Sequence, residues 1–311
     1  MNHLLAICMV CSISAVAHPV QLSDSDVLAA TGVNVPLTVE RVSLPRNSGR
    51  DSRDVLLTPR EVGTYPVLVF HHGTMLLAGD YIELLTNVAK AGVVVLAPQL
   101  YSPLALVTTS VQKEQERAME SQRWAAVKLQ DYLPKGVRAD LSHGVIVAGH
   151  SRGGLIALLT AQERSPDEDP PVRGVIFLDP VDTKSEPRYF YTRKPALVFG
   201  TDDEKCAPKG LNHVKFFQQC HADSAWHVVA HKVAHMDLLN SQLGWLSSIC
   251  ASVCKTGVNS REYVRDFLGG LLVSFVRDLH SGIRHDSSHL TRFLSATPAT
   301  LGVVVENRTN V

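Results

Sequence analysis

The sequence predicts an α/β fold in which helices cover both faces of a mostly parallel central sheet. Three observations lead there. Short, continuous runs of β-branched and aromatic residues recur along the chain, as in strands buried on both faces. Stretches with helical spacing of apolar residues separate these runs, so consecutive strands are joined by crossovers and lie parallel. A Gly-His-Ser-Arg-Gly turn, residues 149–153, joins one such strand to the helix after it.

The elements follow in order. Leu37 to Leu44 and Val55 to Thr58 are expected to form an antiparallel edge. VLVFH at 67–71 is the first buried strand, ended by Gly73, and a helix runs from about Gly79 to Ala91. VVVLA at 93–97 is the next strand, stopped by Pro98. Helical spacing then extends from Val111 to Leu133 and stops at Pro134. A strand at Gly144–Ala148 leads into a helix at Gly153–Arg164. Strands at Val175–Leu178, Ala196–Gly200 and Trp226–Val229 precede a closing helix from about Arg261 to Leu279. The acidic, proline-containing piece from Ser165 to Pro171 is expected to be a surface loop, because the alternation resumes directly after it. Residues 18–282 are therefore expected to be one domain, and the polar residues 283–311 an irregular tail.

Composition sets limits on function. With 311 residues the chain can bury a large core. Thirty basic residues balance thirty acidic ones, which leaves no basic surface for a nucleic acid. Residues 4–17 are an apolar stretch too short to span a bilayer, ending in the small-x-small pattern Ala15-Val16-Ala17. Residues 1–17 are accordingly expected to be a secretory signal peptide. Removing Cys8 and Cys11 with it leaves Cys206, Cys220, Cys250 and Cys254, an even number that permits two disulfides in an oxidising compartment. Three pairings are open, of which 206–220 with 250–254 is the most local. Among these four no Cys-x-x-Cys spacing is present, so no metal site is expected.

The chemistry centres on Ser151. A serine on a tight strand-to-helix turn stands clear of the sheet, and glycines two residues to either side permit the sharp backbone. The helix N-terminus adds free N–H groups near the developing oxyanion. This is the nucleophile turn of the α/β-hydrolase fold, in which the acid and then the histidine follow the serine along the chain. His235 lies just past the last strand, where a loop returns over the active face, and is the expected base. His227 and His231 sit in or beside the strand itself, and His213 is the next candidate. His71, His72 and His150 are expected to shape the catalytic loops. Two places can supply the acid: Asp179, ending one strand, and Asp202 or Asp203, ending the next. Position alone favours the later pair. The oxyanion hole is expected from the backbone N–H groups of Arg152 and Thr74. The Arg152 guanidinium could contact substrate or pair with a carboxylate; both readings stay open.

With GHSRGG at 149–154, the chain resembles the chlorophyllases, enzymes that hydrolyse the phytyl ester of chlorophyll. Further segments carry the resemblance in family order. They are VLAPQLY at 95–101, FLDPVD at 177–182, CAPKGLNHVKFFQQC at 206–220, HVVAHKVAHMDLLN at 227–240 and REYVRDFLGGLLVSF at 261–275. The resemblance implies Ser151 as nucleophile, His235 as base and Asp179 as acid, against the argument from position. The chain also departs from the family: Ala234 stands where a glycine usually precedes the histidine, and Asp202-Asp203 is not the usual sequence. The secretory-like leader differs from a plastid transit peptide, and fits secretion, a vacuolar route or two-stage plastid import.

Motif and resemblance together imply a carboxylic ester hydrolase that needs no metal or redox cofactor, the magnesium belonging to the substrate. The implied partner is a small-molecule ester, chlorophyll or a related pigment, with membrane-surface or lipid contact as a further expectation. A ~20-carbon phytyl chain gains about 0.8 kcal/mol per methylene buried, so an apolar groove is expected. Leu76-Leu77 and Pro103–Val107 follow strands on the catalytic face and could line it, or belong to the core. Two alternatives keep the fold. One is an esterase or lipase for another lipid, aryl or polyester ester; the other is a non-catalytic pigment or lipid carrier.

Overall fold

The computed structural model describes residues 35–45, 48–102, 110–162, 170–183, 191–255, 257–282, 288–297 and 299–309. The expected signal peptide and the Pro103–Val107 segment lie outside these residues.

The strands are β1 (Val39–Val42), β2 (Val55–Pro59), β3 (Gly63–His71), β4 (Val94–Ala97), β5 (Val137–Asp140), β6 (Val145–His150), β7 (Val172–Leu178), β8 (Ala196–Thr201), β9 (Ser224–Ala230) and β10 (Val303–Thr309). Their order in the sheet is β1-β2-β4-β3-β6-β7-β8-β9-β10, with β5 paired beside the start of β3. From β4 through β9 neighbours run parallel, while β1 and β2 form the expected antiparallel edge. The helices are α1 (Ile82–Lys90), α2 (Val111–Lys128), α3 (Arg152–Thr160), α4 (His213–Gln218), α5 (Trp245–Val253), α6 (Arg261–Ser281) and α7 (His289–Ala296). This is the α/β-hydrolase architecture that the sequence predicts.

The continuous apolar runs have a direct cause. Successive side chains of a strand point to opposite faces, and here both faces are covered. Leu68 and Phe70 of β3, Ile146 and Ala148 of β6, and Leu197 and Phe199 of β8 enter one core beneath α1, α6 and α7. Their neighbours Val67, Val69, Val145, Val147, Ala196 and Val198 enter the other, beneath α2, α3 and α4. Helix α6 is set by its ends: the Ser260 side chain caps it by accepting from the Tyr263 amide, and Gly282 closes it at φ +66°.

The tail is not irregular. Leu290 and Phe293 of α7 enter the core, with Phe293 stacked on Phe267 of α6, and Ser288 caps the helix. Strand β10 then pairs antiparallel with β9, Val303 opposite Ala230. The Leu290-Phe293-Leu294 spacing and the Val303–Val305 run were the available signals, diluted by their polar neighbours. Helix α5 and strand β5 are likewise additions to the elements read from sequence.

Cysteine pairing also differs from the local alternative. Cys206 is bonded to Cys254, 48 residues on, which ties the β8–α4 connection to the end of α5. Cys220 and Cys250 are free thiols. Cys220 is buried in α4's vicinity, donates to the Phe216 carbonyl, and burial pushes it up to about 12.

Candidate active site

The Ser151 turn is built by sterics. A Cβ on Gly149 would sit 2.1 Å from the Gly153 carbonyl oxygen, and a Cβ on Gly153 would sit 2.1 Å from that of His71. Both distances are impossible for a side chain, so strand, turn and helix can approach only with glycine at both positions. Ser151 itself has φ 54° and ψ −124°, and its carbonyl accepts from the amides of Gly154 and Val181.

Among the described residues, three non-glycine positions have positive φ: Met75, Ser151 and Asp179. Such backbone is costly for residues with a Cβ and persists where surrounding structure over-determines it. All three fall on the loops at the carboxyl ends of β3, β6 and β7, the face where ligands bind in parallel sheets.

His235 and Asp179 meet there. His235 Nδ1 lies 2.7 Å from Asp179 Oδ2, with both side chains buried. The carboxylate is held from its other side by the Thr201 amide, 3.0 Å from Oδ1, and the Thr201 hydroxyl, 2.8 Å from Oδ2. The Asp203 amide donates in turn to Thr201 Oγ1. A carboxylate is an acceptor, so Nδ1 carries the hydrogen and Nε2 is left with its lone pair. The His235 ring centroid is 4.5 Å from that of His150, the residue before Ser151. Among the described residues neither Ser151 Oγ nor His235 Nε2 has a hydrogen-bond partner; bonds of this kind commonly tighten only with substrate bound.

The alternative acids go elsewhere. Asp202 pairs with the exposed His231 at 2.8 Å. Asp203 accepts from the amides of Lys205 and Lys255, beside the disulfide. His213 and His227 hydrogen-bond to each other at 2.8 Å, and Asp182 pairs with Lys215. The Asp203, Cys206 and Cys254 side chains lie close enough to hold a cation, but both sulfurs are committed to the disulfide.

Arg152 is settled by pairing. Its guanidinium grips buried Glu114 of α2 through Nε and Nη2 and reaches the Thr183 hydroxyl through Nη1. Its amide opens α3, where no preceding helical carbonyl exists to accept it. Thr74 lies in the turn after β3, its carbonyl facing the Cys250 thiol of α5. Leu76 belongs to the core, whereas Leu77 is half-buried.

The loop after β3 is fixed by a polar network. His72 Nε2 accepts from the Leu100 amide, and Gln99 bridges the Ala78 amide to the Tyr101 carbonyl. The Tyr101 hydroxyl donates to the Gly73 carbonyl. Burial lowers His72 to about 4 and His71 to about 3, and lowers His150 well below the usual imidazole range, with nearby His235 adding to it. These three rings are neutral when folded but take up protons below about pH 6.5 once unfolded. Their contribution to stability is full above that pH and is lost as pH falls toward 4 and then 3. Three such groups give a slope of up to about 4 kcal/mol per pH unit near pH 5. The buried carboxyls of Asp54, Glu114 and Asp237, pushed up by burial, oppose it at the acid end. Urea denaturation from pH 7 to 5 is expected to show a steeply falling midpoint. A flat profile would mean that these imidazoles are not held neutral.

A serine at positive φ on a strand-to-helix turn of such a sheet, with a buried His–Asp pair on loops at the same carboxyl end, defines an α/β-hydrolase. Comparison with known proteins narrows the class. The profile of the chlorophyllase family matches residues 31–308, and the chain belongs to that family. It is 33% identical to chlorophyllase-1, chloroplastic, of Citrus unshiu, over 80% of this chain and 79% of that protein. It is 32% identical to chlorophyllase-1 of Arabidopsis thaliana, over 78% of this chain and 81% of that one. With chlorophyllase-2 of the same plant it shares 33% identity, over 72% and 76%. The enzyme class is carboxylic ester hydrolase.

Proposed function

We propose that the protein hydrolyses the phytyl ester of chlorophyll to chlorophyllide and phytol through Ser151, His235 and Asp179. In this reading Ser151 Oγ attacks the propionate carbonyl while His235 Nε2 takes its proton. Asp179 holds the ring with Nδ1 protonated and stabilises the imidazolium. The amides of Arg152 and Thr74 face the oxyanion. His235 then protonates the departing phytol oxygen, and water, activated by the same nitrogen, releases chlorophyllide from the serine ester. The magnesium is part of the substrate and takes no step.

The observation that carries the chemistry is the buried 2.7 Å contact between His235 Nδ1 and Asp179 Oδ2, on loops at the same end of the sheet as a serine at positive φ. The substrate rests on the family, whose named relatives are chlorophyllases. In the cell, residues 1–17 serve in this reading as a leader toward the secretory pathway, a vacuole or a plastid by two-stage import. The relatives from Citrus are named chloroplastic.

Incubation of the purified protein with chlorophyll tests the substrate. Phytol and chlorophyllide are expected in equal amounts. Turnover confined to short p-nitrophenyl esters would move the substrate to another lipid or aryl ester. Pigment retained without phytol release would make the protein a carrier.

A further inference from the structure

Two buried side chains outside the triad link its parts. The Gly73 amide donates to the Tyr81 hydroxyl at 2.9 Å. Tyr81 Oη lies 2.8 Å from His150 Nδ1, and His150 Nε2 lies 3.0 Å from the main-chain carbonyl of His235. Tyr81 and His150 are fully buried.

The hydrogens in this chain of bonds have one consistent arrangement. A carbonyl only accepts, so His150 Nε2 carries the hydrogen. In a neutral imidazole Nδ1 must then accept. Tyr81 already receives the Gly73 hydrogen and has its own to give, so it donates to Nδ1. Burial keeps both groups in the forms this needs, holding the phenol protonated and the imidazole neutral. The relay therefore runs one way, from the loop after β3, through the residue before Ser151, to the main chain of His235. Space agrees: a Cβ on Gly73 would come 3.1 Å from His150 Nδ1 and 3.2 Å from Tyr81 Oη.

We propose that Tyr81 and His150 are positioning residues for ester hydrolysis, fixing the His235 main chain and the Gly73–Thr74 loop against Ser151. The inference rests on the reading of His235 as base. Asp179 governs the rotation of the His235 ring, and His150 governs where its backbone stands. Because His150 adjoins Ser151 covalently and its ring is held at both nitrogens, a shift of His235 relative to the nucleophile strains the His150 Nε2 bond or turns the ring away from Tyr81. Tyr81 extends the same constraint to Gly73, whose neighbour Thr74 is the proposed oxyanion donor.

The test separates alignment from binding and from folding. A misplacement of about 1 Å costs about 10²-fold in rate. His150→Phe keeps a ring but removes both bonds, and is expected to lower kcat about that much with KM changed less than about twofold. Tyr81→Phe deletes one oxygen atom and is expected to lower kcat about tenfold. His150→Gln, whose side-chain amide can still donate toward the His235 carbonyl, is expected to fall between wild type and His150→Phe. Fluorophosphonate labelling of Ser151, which needs an aligned base but no ester pocket, should slow in the same order. Should His150→Phe fail to fold, Tyr81→Phe and His150→Gln carry the test. Wild-type kcat and labelling in those two variants, with Ser151→Ala inactive, would overturn the relay alone. An active Ser151→Ala would overturn the reading of the triad and the relay with it.

Discussion

Ser151→Ala is expected to lower kcat on chlorophyll or on a p-nitrophenyl ester by about 10⁶-fold, the loss typical of removing a serine nucleophile. Folding should survive. The substitution keeps a Cβ at a position already held at φ 54°, and Ser151 Oγ has no hydrogen-bond partner among the described residues to lose. Substrate binding should persist, because the change removes a single hydroxyl and little contact area. The measurement is phytol release alongside a pigment-binding titration and a fluorophosphonate labelling assay. Loss of catalysis and labelling with retained binding is the expected combination. Residual turnover within tenfold of wild type would remove Ser151 from the mechanism.

Asp179→Asn is expected to cost about 10⁴-fold in kcat, the loss seen when the orienting carboxylate of such a triad becomes an amide. Asparagine fits the site sterically and tolerates the φ of 41° better than other side chains, so the fold should hold. Its chemistry does not fit. The carboxylate accepts from the Thr201 amide, the Thr201 hydroxyl and His235 Nδ1, three donors on two oxygens. A carboxamide offers one accepting oxygen and an NH₂ that can only donate. If the oxygen stays with the Thr201 amide, the NH₂ faces Nδ1, which must become the acceptor. The hydrogen then moves to Nε2, and the lone pair needed for Ser151 is gone. Asp202→Asn, by contrast, alters only an exposed contact to His231 and should leave kcat within about twofold. Comparing the two variants on one ester decides which strand supplies the acid, and equal losses would contradict the assignment to Asp179.

Much of this was legible without coordinates because its causes are local. The runs VLVFH, VIVAGH and ALVFGT are apolar at almost every position because each strand is covered on two faces, and that requirement is written into five or six consecutive residues. The Ser151 turn is legible for a similar reason. Gly149 and Gly153 answer to collisions within the turn and with the adjacent strand, so their spacing alone points to the serine between them. His235 could be picked out by its position past the last parallel strand.

The acid was not decided in this way. Asp179 and Asp202 both end parallel strands that lie side by side, and position alone leaned toward the later one. The choice turns on Thr201, whose amide and hydroxyl fix one carboxylate toward His235, while Asp202 turns out to His231 at the surface. Resemblance to the family pointed to Asp179 in advance, but no spacing rule contains that contact. The tail shows the same limit. The pattern of Leu290 and Phe293 is modest in isolation and becomes a helix because Phe267 of α6 is there to stack on.

The chain by itself determined a two-faced parallel sheet, a serine on a glycine-framed turn and a histidine positioned to follow it, since these answer to strand period and to sterics within a few residues. Tertiary structure alone decided which aspartate meets the histidine, that Cys206 bonds Cys254, that Arg152 is held by Glu114, and that Tyr81 and His150 join the loops. Those contacts join residues tens of positions apart, and their distances are set by strand order and register, which no short stretch of sequence contains.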